Sequence, residues 1–70
     1  MHKYEIIIFW SEVDEAFVAE APELPGCMAH GDTYEKALAN VRDAMDLWIQ
    51  TAKELRRKVP KPKGQRLVFA

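Results

Sequence analysis

Apolar side chains recur at alternating spacings of three and four residues through the second half of the chain. The positions are Leu38, Val41, Met45, Trp48, Ala52 and Leu55. Such spacing predicts an amphipathic α-helix whose apolar stripe packs against a sheet. We expect the helix to run from residue 34 to about residue 57, with Asp32 or Thr33 as its N-cap and a basic cluster at its C-terminal end.

Short segments rich in Ile, Val and aromatic residues precede the helix and predict β-strands at residues 4–11, 16–20 and 27–31. A further short strand is predicted at residues 66–69. The expected fold class is α+β, a small β-β-β-α-β module in which one long helix packs on an antiparallel sheet, and residues 1–70 form one domain. Pro25, Gly26 and Cys27 are assigned to a structural turn between the second and third strands.

A chain of 70 residues and 8.1 kDa has little room for a hydrophobic core. It has one cysteine, so it cannot form an internal disulfide, and it has too few His and Cys residues for a structural zinc site. Self-association is the remaining source of stability, so we predict a homodimer or a higher homo-oligomer. The predicted oligomer interface consists of Ile7, Phe9, Trp48, Leu55 and Phe69.

The longest apolar run, residues 6–10, is far shorter than the roughly 20 residues that span a bilayer. No membrane span is expected, and the N-terminal residues lack the pattern of a secretory signal. We therefore predict a cytoplasmic protein.

The charges are unevenly distributed along the chain. Residues 1–52 carry ten acidic and three basic side chains, a net charge of -7, whereas residues 53–70 carry seven basic and one acidic, a net charge of +6. The bases can simply complement the C-terminal end of the helix dipole. Alternatively, the acidic part binds a basic partner and the basic tail contacts phosphate or an acidic neighbour.

Few residues suggest catalysis. Cys27 and His30 are three apart, so on a strand they face opposite sides and do not form a thiol–imidazole pair. Asp43 and Asp46 are neighbours on the helix, but the other carboxylates are scattered along the chain. No phosphate-binding glycine loop is present. We therefore expect no catalytic residue, no metal site and no cofactor, and Trp10 and Trp48 are interpreted as packing or interface residues.

The segment WSEVDEAFVAEAPELPGCMAHGDT, from Trp10 to Thr33, together with the Ala- and Leu-containing helix that follows, resembles the HicB-like antitoxin family. The resemblance covers about residues 3–50 and implies a partial RNase H-like fold. It also implies a toxin–antitoxin pair in which this chain inhibits a small basic HicA-like toxin, an mRNA-cleaving ribonuclease, by occlusion. Lys36 stands where the family has an acidic residue, which weakens a capping box at Thr33.

Longer members of the family carry an additional DNA-binding domain. A chain of 70 residues has no room for one, so specific DNA binding is not expected. The toxin-binding residues are predicted among exposed turn carboxylates: Glu12, Asp14 and Glu15 in the first hairpin turn, and Glu20 and Glu23 around the Pro22 loop. Two alternatives remain open, an RNase H-like metal-dependent nuclease that uses Asp43 or Asp46, and a free-standing nucleic-acid-binding module that uses the bases of residues 53–66.

Overall fold

The computed structural model describes residues 3–62. Strands β1 (Ile7–Ser11), β2 (Ala16–Glu20) and β3 (Met28–Gly31) form an antiparallel sheet in the order β1-β2-β3, and helix α1 (Tyr34–Glu54) packs on one face of it. The predicted α+β class and the order β-β-β-α are confirmed. The predicted strand at residues 66–69, with Phe69, lies outside the described residues, and the likeness to RNase H is not confirmed.

Strand β1 begins at Ile7, three residues later than predicted. Ile7 pairs with Glu20, the last residue of β2, so the residues before Ile7 extend past the end of the neighbouring strand. The backbone N–H of Glu5 instead donates to the carboxylate of Glu23, at 3.0 Å. The chain after β2 turns away at Pro22, which cannot donate a hydrogen bond to a sheet. The sequence predicts too early a start for β1 because residues 4–6 resemble a strand in composition, although no strand pairs with them.

Helix α1 buries one stripe of small and medium-sized side chains. Ala37, Val41, Met45 and Ala52 are buried, and Leu38 and Trp48 are half-buried. Ala37 precedes the first residue of the predicted stripe, Leu38, and it is fully buried where the start of α1 passes close to β3. The helix lies mainly over β3 and β2 and makes few contacts with β1.

The start of α1 passes very close to the end of β3. Thr33 is the N-cap residue, since its Oγ1 accepts a hydrogen bond from the N–H of Lys36 at 3.1 Å. A Cβ atom at Gly31 would overlap the backbone nitrogen of Ala37 and would lie 2.7 Å from the carbonyl carbon of Lys36. Only glycine therefore permits this approach of helix to strand.

The helix ends earlier than predicted, at Glu54, with Leu55 as its C-cap. Arg56 has a φ of 56°, and its N–H donates to the carbonyl of Lys53 at 3.1 Å, while the N–H of Arg57 donates to the carbonyl of Ala52 at 2.7 Å. These two bonds form a Schellman motif, which usually has glycine at the left-handed position. Leu55, predicted in the buried stripe, is 57% exposed because it lies at this end.

The loop between β2 and β3 closes one end of the core. Its Leu24 is fully buried, and Gly26 adopts a φ of 79° in the turn that leads to Cys27. The indole N–H of Trp48 donates to the carbonyl of Pro25 at 2.9 Å, which holds the helix to this loop. The hydroxyl of Tyr4 donates to the carbonyl of Pro60, so the segment after the helix returns to the start of the chain.

Candidate functional site

The sheet has one face that the helix does not cover. The register places Phe9, Val18 and His30 in one row across this face, and Ile7, Glu20 and Met28 in the next row. We call these six residues the open face. Phe9 is 43% exposed and Met28 49% exposed, whereas Val18 between them is only 4% exposed. The open face therefore has an apolar centre. This is unusual, because the solvent-facing side of an antiparallel sheet normally carries polar residues.

The opposite face of β1 is also incompletely covered. Trp10 lies on the helix side of the sheet, yet it is 47% exposed because α1 lies over the other strands. Its ring meets Phe17 edge-on with 5.2 Å between ring centroids, and Phe17 contacts Tyr34 with centroids 4.2 Å apart. Trp10 thus packs within an aromatic row at the sheet surface.

Glu12, Asp14 and Glu15 lie together in the turn between β1 and β2, and all three are exposed. Asp14 is held in place, because its carboxylate accepts a hydrogen bond from the Ser11 hydroxyl at 2.9 Å and its N–H donates to that hydroxyl oxygen at 3.2 Å. The same carboxylate lies 3.4 Å from Nε2 of His30. The turn therefore lies next to the end of the open face that carries His30.

Glu20 and Glu23 lie elsewhere. Glu20 is half-buried within the open face, and Glu23 is half-buried in the loop after β2, where it accepts the Glu5 N–H. Because the strand between the two turns rises about 3.4 Å per residue, Glu23 is on the order of 20 Å from the hairpin turn. The five carboxylates predicted to bind a partner thus form two groups. Glu12, Asp14 and Glu15 lie in the hairpin turn, whereas Glu20 lies at the opposite end of β2 and Glu23 lies in the loop that follows it.

Basic side chains are absent from the whole sheet region. Residues 4–35 contain eight carboxylates and no lysine or arginine, so His30 is the only side chain among them that can carry a positive charge. In the described part of the chain, every lysine and arginine lies either before Tyr4 or after the N-cap residue Thr33. A division of the charges at residue 52 does not reveal this segment, because residues 36–52 contain both acidic and basic side chains.

The predicted oligomer residues separate into two surfaces. Ile7 and Phe9 lie on the open face, whereas Trp48 and Leu55 line a groove of about 350 Å³ beside the C-terminal half of α1. Leu47 also lines this groove and is 64% exposed, and Arg57 lies on its wall. Met28 borders both surfaces. Leu47 was missed because it falls outside the buried helical stripe.

The residues considered for catalysis are not brought together. Cys27 is buried, and burial raises the pKa of its thiol above the usual 9.0. His30 is exposed beside Asp14, while Asp43 and Asp46 are exposed on the helix. Within residues 3–62, no group of three or more His, Cys, Asp or Glu side chains could hold a metal ion. In the same part of the chain, α1 is not apolar enough to cross a membrane.

Comparison with known proteins shows clear relatives. The family model described as "HicB_like antitoxin of bacterial toxin-antitoxin system" matches residues 4–67. A UPF0150 protein of Thermoplasma acidophilum is 34% identical over 65 residues, which is 93% of this chain and 93% of the relative. A UPF0150 protein of Synechocystis is 39% identical over 54 residues, covering 77% of this chain and 74% of the relative. No solved structure shows a significant match.

Proposed function

Because this chain belongs to the HicB-like antitoxin family of bacterial toxin–antitoxin systems, we propose that it neutralises a small basic HicA-like toxin by binding and covering it. We also propose that it acts in the cytoplasm, that it is a binding module rather than an enzyme, and that it forms a homo-oligomer.

The observation that carries this proposal is the charge of the sheet region. Eight carboxylates without lysine or arginine between residues 4 and 35 attract a cationic protein and repel nucleic acid. A ribonuclease that binds RNA through basic side chains presents the complementary charge. An antitoxin of this kind competes with RNA for the same surface of the toxin.

The nuclease and nucleic-acid-binding alternatives have weaker support. Asp43 and Asp46 are exposed on the helix, and the described residues bring no further metal ligands to them. The bases that follow the helix, including Arg56, Arg57 and Lys58, adjoin a body whose residues 4–35 carry eight carboxylates and no lysine or arginine, which opposes the binding of nucleic acid.

The test is a titration of RNA cleavage. The small basic protein encoded next to this chain is incubated with RNA and increasing amounts of the chain, and complex mass is measured by light scattering after gel filtration. We expect cleavage to stop at a fixed stoichiometry with a co-eluting complex. Continued cleavage without a complex, or Mg²⁺-dependent cleavage by this chain alone, would overturn the proposal.

A further inference from the structure

We infer that the open face of the sheet, defined by Ile7, Phe9, Val18, Glu20, Met28 and His30, is the surface that contacts the toxin, through an apolar centre and an acidic margin. This inference rests on the proposed function and names the surface that performs it. The sequence predicts that Ile7 and Phe9 contact a second copy of this chain, whereas in this proposal they contact the toxin.

The open face has an apolar centre. Phe9 and Met28 are 43% and 49% exposed on neighbouring rows of the sheet, and they flank Val18, which is 4% exposed. On the other face, α1 already covers β2 and β3, so the two-layer arrangement of a small domain is complete without the open face. Exposed aromatic and methionine side chains surrounded by polar groups are typical of the centre of a protein interface.

The charge on and around the open face identifies the kind of occupant. Glu20 lies within the open face, and the hairpin carboxylates of Glu12, Asp14 and Glu15 extend its margin at the His30 end. No lysine or arginine lies on any of the three strands or in the turns between them. A basic surface with an apolar projection therefore complements the open face.

The same charges argue against a second copy of this chain as the occupant. Two open faces packed together would bring the carboxylates of both copies to one interface without a lysine or arginine from either sheet. Like charges at an interface oppose association. The helix-side groove differs, because Arg57 lies on its wall together with Leu47 and Leu55.

The acidic margin of the open face is ordered before binding. Ser11 and His30 both contact the Asp14 carboxylate, at 2.9 Å and 3.4 Å, and the N–H of Asp14 is bonded back to Ser11. A turn fixed in this way loses little conformational freedom when a partner binds. The hairpin can therefore present its carboxylates to a cationic side chain beside the apolar centre.

The experiment compares variants in their affinity for the small basic protein encoded next to this chain, measured by calorimetry. Phe9→Ser and Glu20→Lys change the open face, while Leu47→Ser and Asp43→Lys make the same kinds of change on the groove and on the outer face of the helix. We expect each open-face variant to weaken binding at least tenfold and each control to change it less than threefold. Circular dichroism confirms that each variant is folded.

The outcomes separate the two proposals. If the wild-type chain does not bind the basic protein, the proposed function fails. If the wild type binds and Leu47→Ser weakens binding while Phe9→Ser does not, only the assignment of the open face is wrong. Sedimentation velocity of the chain alone tests the other occupant, and a dimer that Phe9→Ser dissociates would show that a second copy covers this face.

Discussion

The replacement of Gly31 by alanine tests how closely the helix approaches the sheet. The new Cβ would lie 2.7 Å and 2.8 Å from the carbonyl carbon of Lys36 and the Cα of Ala37, and it would overlap the nitrogen of Ala37. All three atoms belong to the backbone, so the first turn of α1 has to move away by roughly 1 Å to restore van der Waals contact. That movement disturbs the cap at Thr33 and the contacts of Ala37, which is fully buried.

Overpacking of this kind costs about 1–3 kcal/mol, and weakening the cap adds about 1 kcal/mol. A loss of about 2–4 kcal/mol lowers the melting temperature of a domain of this size by on the order of 15–25 °C. Thermal unfolding followed by circular dichroism measures this decrease in the melting temperature.

Gly26→Ala is the matched control, because a Cβ there meets nothing within 4 Å and the cost comes only from its φ of 79°. That left-handed conformation costs alanine about 1 kcal/mol. At a position whose backbone conformation alanine adopts without strain, replacing glycine by alanine stabilises a protein, because the unfolded chain loses conformational freedom. A Gly31→Ala variant as stable as the wild type, or more stable, would refute the close approach.

Three further predictions concern the ends of the helix and the buried thiol. Thr33→Ala should lower the free energy of unfolding by about 1 kcal/mol in urea titrations, with Thr33→Ser close to wild type; equal losses would exclude the hydroxyl cap. Arg56→Gly should raise it by about 0.5–1 kcal/mol, because glycine adopts the φ of 56° without strain, and a lower value would contradict the Schellman geometry. Cys27 should react with iodoacetamide far more slowly in the folded chain than in urea, and equal reaction rates would show an accessible thiol. Because burial raises the pKa of this thiol in the folded state, the free energy of unfolding should fall as the pH rises above 9.0.

The helix and the second strand could be predicted from the sequence because each depends on a local signal. The apolar period located α1 from Tyr34 onward, and Thr33 was one of the two residues proposed as its cap. The end was placed three residues too late, because a Schellman turn at Arg56 has no glycine to indicate it. Leu24 shows the same limit, since nothing local indicates that a residue between two prolines in a loop becomes fully buried.

The candidate site was only partly predictable, because it depends on the register of three strands. The sequence located three carboxylates in the hairpin turn and two, Glu20 and Glu23, around the Pro22 loop. It did not show that Glu20 lies on the open face while Glu23 accepts the N–H of Glu5. The pairing of Val18 with Phe9 and His30 creates the open face, and no local pattern specifies which residues become neighbours across strands. The exposure of Met28 likewise follows from its position on an edge strand.

The most direct test of the central claim is a methyl NMR spectrum of the chain, recorded with and without the small basic protein encoded next to it. We expect the methyl signals of Ile7, Val18 and Met28 to shift on binding and to show contacts to the partner, while that of Leu47 changes little. Shifts centred on Leu47 and Leu55, with those of the open face unchanged, would contradict it.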